Sequence, residues 1–261
     1  MNTLNHLQQK IQNAKSLDFG TIFNQSIDLY KKVWVQGLIL YLIALLIMLP
    51  IIMLFYGPMY IAMFEQIQSG NPDPEAMNEF IYGRGSLFML GYYLVMFVVS
   101  AISSLLYAGF YRIIRKVETE QAFATSEFFY FFKGPYFLKG FILMIVSSLI
   151  TGLAAMLCFF PVIYVMVPVM FIIPIFAFNP DLSIGDILNV AFSLGNKKWG
   201  LTFGLILVSI LVIFVLTLLT CGIGGLFLSC FIYLPIYLIY KEVIGFEDSD
   251  PINEIGKIEN L

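Results

Sequence analysis

WGLTFGLILVSILVIFVLTLLTCGIGGLFLSCFIYLPIYLIY, Trp199 to Tyr240, runs for 42 residues between Lys198 and Lys241 without a formal charge. A helix needs about 20 apolar residues to cross roughly 30 Å of hydrocarbon, so the stretch holds two spans back to back. Glycine punctuates the pattern at Thr220-Cys-Gly-Ile-Gly-Gly225, which places the turn between them. Three more uncharged runs extend outward from this one: 41 residues from Gly140 to Pro180, 32 from Val33 to Phe64 and 27 from Gly85 to Tyr111. The first holds two spans, turning at Cys158-Phe-Phe-Pro161, and the others hold one each. Six spans follow, at approximately 35–56 (with a helical extension to 67), 86–110, 138–158, 161–178, 200–220 and 224–243.

Composition agrees with this reading. Of 261 residues, 60% are apolar and only 12% charged, and the mean hydropathy is +0.89, whereas soluble domains are about one quarter charged. The expected fold is an all-α, polytopic membrane bundle. Barrel strands would alternate apolar and polar residues over about ten positions, and no segment does.

The basic residues set a direction. Lys10, Lys15, Lys31 and Lys32 precede the first span, and Arg112, Arg115, Lys116, Lys133 and Lys139 lie between the second and third. Lys197 and Lys198 lie between the fourth and fifth, and Lys241 and Lys257 follow the sixth. Thirteen of 14 therefore share one side, with only Arg84 among Glu65, Asp73, Glu75 and Glu79 on the other. The positive-inside rule then predicts that both termini are cytoplasmic. Lys31, Lys32, Trp34, Lys197, Lys198 and Trp199 are the expected interface anchors, because tryptophan belts and lysines mark that waterline. A net charge of -3 gives no ground for a nucleic-acid partner. The first apolar run starts too late and runs too long for a cleaved signal peptide, so the first span is expected to double as the insertion signal.

An internal repeat sits on this frame. Gly20, Ile22, Asn24, Leu29, Lys32 and Trp34 align without a gap on Gly185, Ile187, Asn189, Leu194, Lys197 and Trp199, and each copy leads into Gly-Leu-Ile-Leu, at Gly37 and at Gly204. In the first copy Phe19, Ile22, Phe23, Ile27, Tyr30 and Trp34 recur at helical steps, with Asp18 placed to cap. In the second, Ile184, Ile187, Leu188, Ala191 and Gly195 do so, with Ser183 and Asp186 spaced as a capping box. Thr125 to Lys133, ahead of Gly140-Phe-Ile-Leu143, reads as a shorter third copy. Interfacial amphipathic helices are thus expected near 19–34, 125–133 and 183–196, in a parallel repeat of one such helix plus two spans. The domain plan is a tail over 1–17, the membrane domain over 18–245 and an acidic tail over 246–261. In the first tail Leu4, Leu7 and Ile11 share a helical face, as a docking helix or an ordinary surface helix would. Asn71-Pro-Asp-Pro74 reads as a turn, with Arg84 placed to pair with Glu79.

The Asp-Phe-Gly-x-Ile-Phe stretch at Asp18 to Phe23, the basic pair behind it, six spans, and Pro180-Asp-Leu-Ser-Ile-Gly-Asp-Ile-Leu188 before the fifth span resemble a bacterial group. That group comprises six-span inner-membrane proteins related to the membrane domain of glycerophosphodiester phosphodiesterases. The resemblance covers roughly residues 16–245 and implies a bacterial inner-membrane location. It implies no phosphodiesterase residues, since its motifs are topological.

Motifs that carry chemistry are scarce. The spans contain no Asp, Glu, Lys, Arg or His, which argues against a proton- or sodium-coupled pump, because ionisable groups inside a membrane are what such relays use. His6 is the sole histidine and lies in the N-terminal tail, so a Ser-His-Asp arrangement in the spans and histidine-held iron are both excluded. Cys158, Cys221 and Cys230 are too few and too ill-spaced for a metal cluster; Cys158 and Cys221 are expected as two small buried apolar residues, or else as a disulfide. No cofactor is expected.

Polar but uncharged positions remain. Ser100, Ser103 and Ser104 on span two, and Ser147, Ser148 and Thr151 on span three, fit helix packing or a substrate path. Pro161, Pro168 and Pro174 in span four would each free a backbone carbonyl, which favours a helix facing the bundle or a groove, though proline is common in membrane helices. Ser147, Ser148, Thr151 and the three prolines are the candidate groove residues. The expected function is a scaffold or accessory subunit, in contact with membrane lipids and a protein partner and without enzymatic chemistry. The alternative is a passive or lipid-handling transporter. Last comes a lipid-modifying enzyme that would use Asp18, Asp28, Asp186, Lys32 and Lys197 at the interface.

Overall fold

The computed structural model describes residues 3–69, 83, 86–157 and 159–246. The expected turn at Asn71 to Pro74, the Arg84–Glu79 pair, Cys158 and the acidic residues from Glu247 onward lie outside them. In chain order come α1 (Leu4–Gln12), α2 (Phe19–Ser69), α3 (Ser86–Glu118), a 3-10 helix (Thr125–Phe132), α4 (Pro135–Leu157), α5 (Phe159–Phe178), α6 (Ile184–Lys197), α7 (Trp199–Leu219), α8 (Ile223–Leu228) and α9 (Tyr233–Val243). The described residues form no strand. Six helical stretches are long and apolar enough to cross a membrane: Phe19–Pro58, Phe88–Glu118, Pro135–Leu157, Phe160–Phe178, Trp199–Leu219 and Ile223–Val243. The protein is an all-α polytopic bundle.

Residues group into two compact units. One, Leu42–Ser103, takes the latter part of α2 and the first part of α3. Phe55 sits edge-on to Phe88 at 5.3 Å and to Tyr92 at 5.2 Å, and the hydroxyls of Tyr56 and Tyr92 are 3.1 Å apart. Phe55, Val99 and Ala101 are its only buried apolar residues among those described, while Leu46, Met53, Leu54 and Phe64 stand exposed. Such surface would aggregate in water; lipid tails are as apolar as leucine and accept it.

The other unit, residues 1–41 and 104–261, packs around α6. Ile187, Val190, Ala191, Leu194 and Gly195 are buried on α6, which lies against α5 and against α1. From α1 come the buried Leu7 and Ile11, and Gln8 Nε2 donates to Asn189 Oδ1 at 2.8 Å. Ser183 caps α6 by accepting from the Asp186 N–H at 3.1 Å, and its hydroxyl donates to Asp186 Oδ2 at 2.7 Å. The expected helix at 183–196 is therefore present, packed against α1 and α5.

The two repeat copies fold differently. The expected interfacial helix at 19–34 is no separate element, because α2 continues through Trp34 as one helix of 51 residues, about 75 Å at 1.5 Å per residue. In the second copy the helix stops at Lys197, and Lys198 leaves it at φ -115°, ψ 21°. Gly195-Asn196 stands there where the first copy has Tyr30-Lys31, and glycine costs a helix about 1 kcal/mol relative to alanine. The buried face of α2 also differs from expectation. It runs through Ile22, Ser26, Leu29, Val33, Gly37 and Leu40, leaving Trp34 40% exposed. The stretch expected as a shorter third copy forms the 3-10 helix, whose Phe128 and Phe131 are buried. It crosses α3 at Gly109, where an added Cβ would lie 2.5 Å from the Phe128 carbonyl oxygen.

Expected as one helix over 224–243, the sixth span is two. α8 ends at Leu228, turns occupy 229–232, and α9 begins at Tyr233. Pro235 in the first turn of α9 explains the break: it has no N–H to offer the Phe231 carbonyl, and its ring clashes with a carbonyl four residues back. Phe231 O instead accepts from Leu234 N at 3.1 Å, and Cys230 O from Tyr233 N at 3.2 Å. α2 fills the gap. A Cβ added at Gly37 would fall 2.5 Å from Cys230 Cβ, Phe231 packs edge-on to Phe23 and Tyr30, and Tyr30 Oη donates to Phe227 O at 3.4 Å.

The two hairpin turns also shift. Phe159-Phe-Pro161 belongs to α5, with Pro161 in its first turn where a missing N–H costs nothing. α7 closes with Cys221 N donating to Leu218 O and Gly222 N to Thr217 O, the paired bonds of a Schellman motif. Cys221 holds the left-handed position at φ 53° and is exposed and free, not buried as an apolar residue would be.

Candidate functional site

Arg112, Arg115 and Lys116 share one face of α3 at steps of three and four, so the last turns of that helix present three cations together. Two carboxylates brace this end of the bundle. Glu127 of the 3-10 helix receives Lys116 Nζ at 2.7 Å and lies 3.5 Å from Arg112 Nε. Glu118 receives Tyr237 Oη at 2.6 Å and Lys241 Nζ at 2.7 Å, so it ties α3 to α9. Burial pushes the Glu127 carboxyl up, but the Lys116 hydrogen bond and the charges of Lys116 and Arg112 outweigh it and hold the group below its ordinary value.

Aromatic rings set the guanidinium planes. The Arg112 guanidinium carbon lies 3.8 Å from the centroid of Tyr130, and that of Arg115 lies 3.9 Å from the centroid of Phe246. Such stacking is characteristic of arginine and leaves its N–H fork to bind an anion. Between these groups opens a pocket of about 270 Å³, lined by Arg112, Arg115, Lys116, Gln121 and the rings of Phe178, Tyr240 and Phe246. Tyr240 is held in place by Asn179, whose Nδ2 donates to its hydroxyl at 2.8 Å. No carboxylate is part of the lining among the described residues.

A second cavity is small and apolar. It measures about 70 Å³ among Ser104 and Leu105 of α3, Gly140, Leu143, Met144 and Ser147 of α4, and Ile172 and Phe176 of α5. Ligand pockets run to about 300–1,000 Å³, so this groove admits part of a chain and no whole ligand. Ser147 lines it, while its hydroxyl is spent on Leu143 O at 2.7 Å and its carbonyl accepts from Thr151 at 2.9 Å. Ser148, Thr151, Pro161, Pro168 and Pro174 are not among its lining residues. Pro168 and Pro174 are buried, and Pro168 is covered by Gly195 of α6.

The expected anchors divide. Lys32 and Lys197 are exposed, and Lys31 pairs with Asp28 at 2.8 Å on the surface. Trp34 leans on Phe227, and Trp199 stacks between Tyr164 and Phe203 while its Nε1 donates to Tyr164 O at 2.9 Å. Lys198 is buried and donates to the Lys15 carbonyl, which ties the entry to α2 onto the α6–α7 junction instead of reaching headgroups. Desolvation lowers its pKa, with the neighbouring Lys197 adding to the effect. Sequence reading missed Arg112, Arg115 and Lys116 as a site because it counted them for orientation only; their spacing was the available signal.

Among the described residues no three His, Cys, Asp or Glu side chains come together as a metal ion would require. Six apolar spans and a cationic pocket at one end define a multi-pass membrane protein. Compared with known proteins, the chain matches no family model, no curated protein and no solved structure.

Proposed function

We propose that this protein is a non-catalytic scaffold or accessory subunit of a membrane complex. In this reading it resides in a bacterial inner membrane with both termini cytoplasmic, and its kinship is with the six-span membrane domain described above. The observation that carries the reading is the state of Glu118 and Glu127. Each holds two cationic or hydroxyl partners from another element, so the carboxylates beside the pocket act as braces, and the pocket offers charge for binding. A lipid-handling transporter is less well supported, because Gly195 fills the place beside Pro168 where a path along α5 would run.

Co-purification from native membranes in mild detergent tests the proposal. A stoichiometric protein partner is the expected result. A chain that always emerges alone overturns it, as does lipid turnover by the pure protein that Ala replacement of Asp28, Asp186, Lys32 and Lys197 abolishes.

A further inference from the structure

We propose that the pocket among Arg112, Arg115, Lys116 and Gln121 binds the phosphate of an anionic membrane lipid. The assignment does not depend on the chain having a protein partner. It begins from charge: among the described residues the lining carries three cations and no carboxylate, and Glu127 and Glu118 hold Lys116, Arg112 and Lys241 without entering it. Counting Arg112, Arg115, Lys116 and Lys241 against Glu118 and Glu127 leaves an excess of two positive charges among these groups. Arginines with planes fixed on Tyr130 and Phe246 are preorganised for the tetrahedral oxygens of a phosphate, and Gln121 adds a neutral donor.

Position selects a lipid as the source of that phosphate. Arg112 lies seven residues beyond Leu105 on α3, two turns on the same face and about 10 Å along the axis. Leu105 lines the apolar groove, which α5 also lines with Phe176, two residues before Phe178 of the basic pocket. The cations therefore sit at the end of a membrane-spanning helix, one headgroup's depth from apolar side chains, where basic pockets between helices meet acidic headgroups. A volume of about 270 Å³ takes a headgroup phosphate with its glycerol and leaves the acyl chains outside.

The test uses the whole chain in phosphatidylcholine nanodiscs, with or without phosphatidylglycerol, and native mass spectrometry to count retained lipid. The expected result is selective retention of phosphatidylglycerol. Arg115→Gln should weaken it roughly tenfold or more, since a hydrogen bond to a charged group carries that much affinity. Gln121→Glu should weaken it several-fold while leaving every ion pair and ring contact named above in place. Lys133→Gln, an exposed lysine outside the pocket, should change nothing. Equal retention of phosphatidylcholine overturns the proposal, as do variants that all bind like the parent chain. Displacement of the lipid by inorganic phosphate at comparable concentration overturns the lipid as the source.

Discussion

Gly195 of α6 lies so close to Pro168 of α5 that a Cβ built on the glycine would fall 2.5 Å from the proline Cα. Backbone meets backbone there, and neither side has a flexible atom to move. Gly195→Ala should therefore lower stability by about 1–3 kcal/mol, the usual penalty for overpacking, seen as a lower thermal midpoint in detergent. An unchanged midpoint would mean that α5 and α6 are not in contact there.

Gly37 and Cys230 make a similar contact, but through a side chain. Gly37→Ala alone should destabilise, because its Cβ would strike Cys230 Cβ at 2.5 Å. Cys230→Gly in the same chain removes the obstacle and should recover part of the loss, while adding its own cost near the α8–α9 break. A double-mutant cycle with no coupling between the two sites would count against α2 filling that break.

Glu127→Gln should cost about 1–3 kcal/mol by leaving Lys116 and Arg112 without their counter-charge. The same brace predicts a pH dependence. Because the folded carboxyl titrates below its ordinary value of 4.5, its stabilisation is complete above that pH and disappears as pH falls through the folded value. Melting curves from pH 7 down to about 3 should show a drop in the parent chain that is smaller in Glu127→Gln.

Cys221→Gly should stabilise the chain by up to about 1 kcal/mol. The residue sits at φ 53°, where glycine has no steric penalty and a side chain has one. A lower thermal midpoint for this variant would argue against the Schellman geometry at the end of α7.

Asn196→Cys reports topology. Asn196 is exposed at the end of α6, and unlike Gly195 it has room for a side chain. In a chain whose Cys158, Cys221 and Cys230 are replaced by Ser, and with both termini cytoplasmic, a membrane-impermeant thiol reagent should label it only in opened cells. Labelling of intact cells would reverse the orientation.

Much of the architecture was legible because membrane insertion is governed by local sums of hydrophobicity. Four uncharged runs holding six spans, the Ser183 cap and the apolar face of α1 need no partner to be recognised. The break in the sixth span was legible too, in Pro235, which removes a backbone N–H inside that run. The face of α2 was not, since it turned on which neighbours the helix meets: Phe23, Tyr30 and Gly37 meet the α8–α9 break, while Ile22, Leu29 and Val33 form the buried row. Lys198 shows the same limit. In sequence it is one of a lysine pair beside a tryptophan, and only folding brings the Lys15 carbonyl to it.

Sequence alone determined that six stretches are long and apolar enough to span a membrane, because that property is a local sum over consecutive residues. Tertiary structure decided what the charges do. Arg112, Arg115 and Lys116 became a pocket only when Glu118 and Glu127 were drawn aside as braces and Phe178, Tyr240 and Phe246 closed the walls. Those partners come from residues up to 128 positions from Glu118, and electrostatics acts across space at ångström range, whatever the separation along the chain.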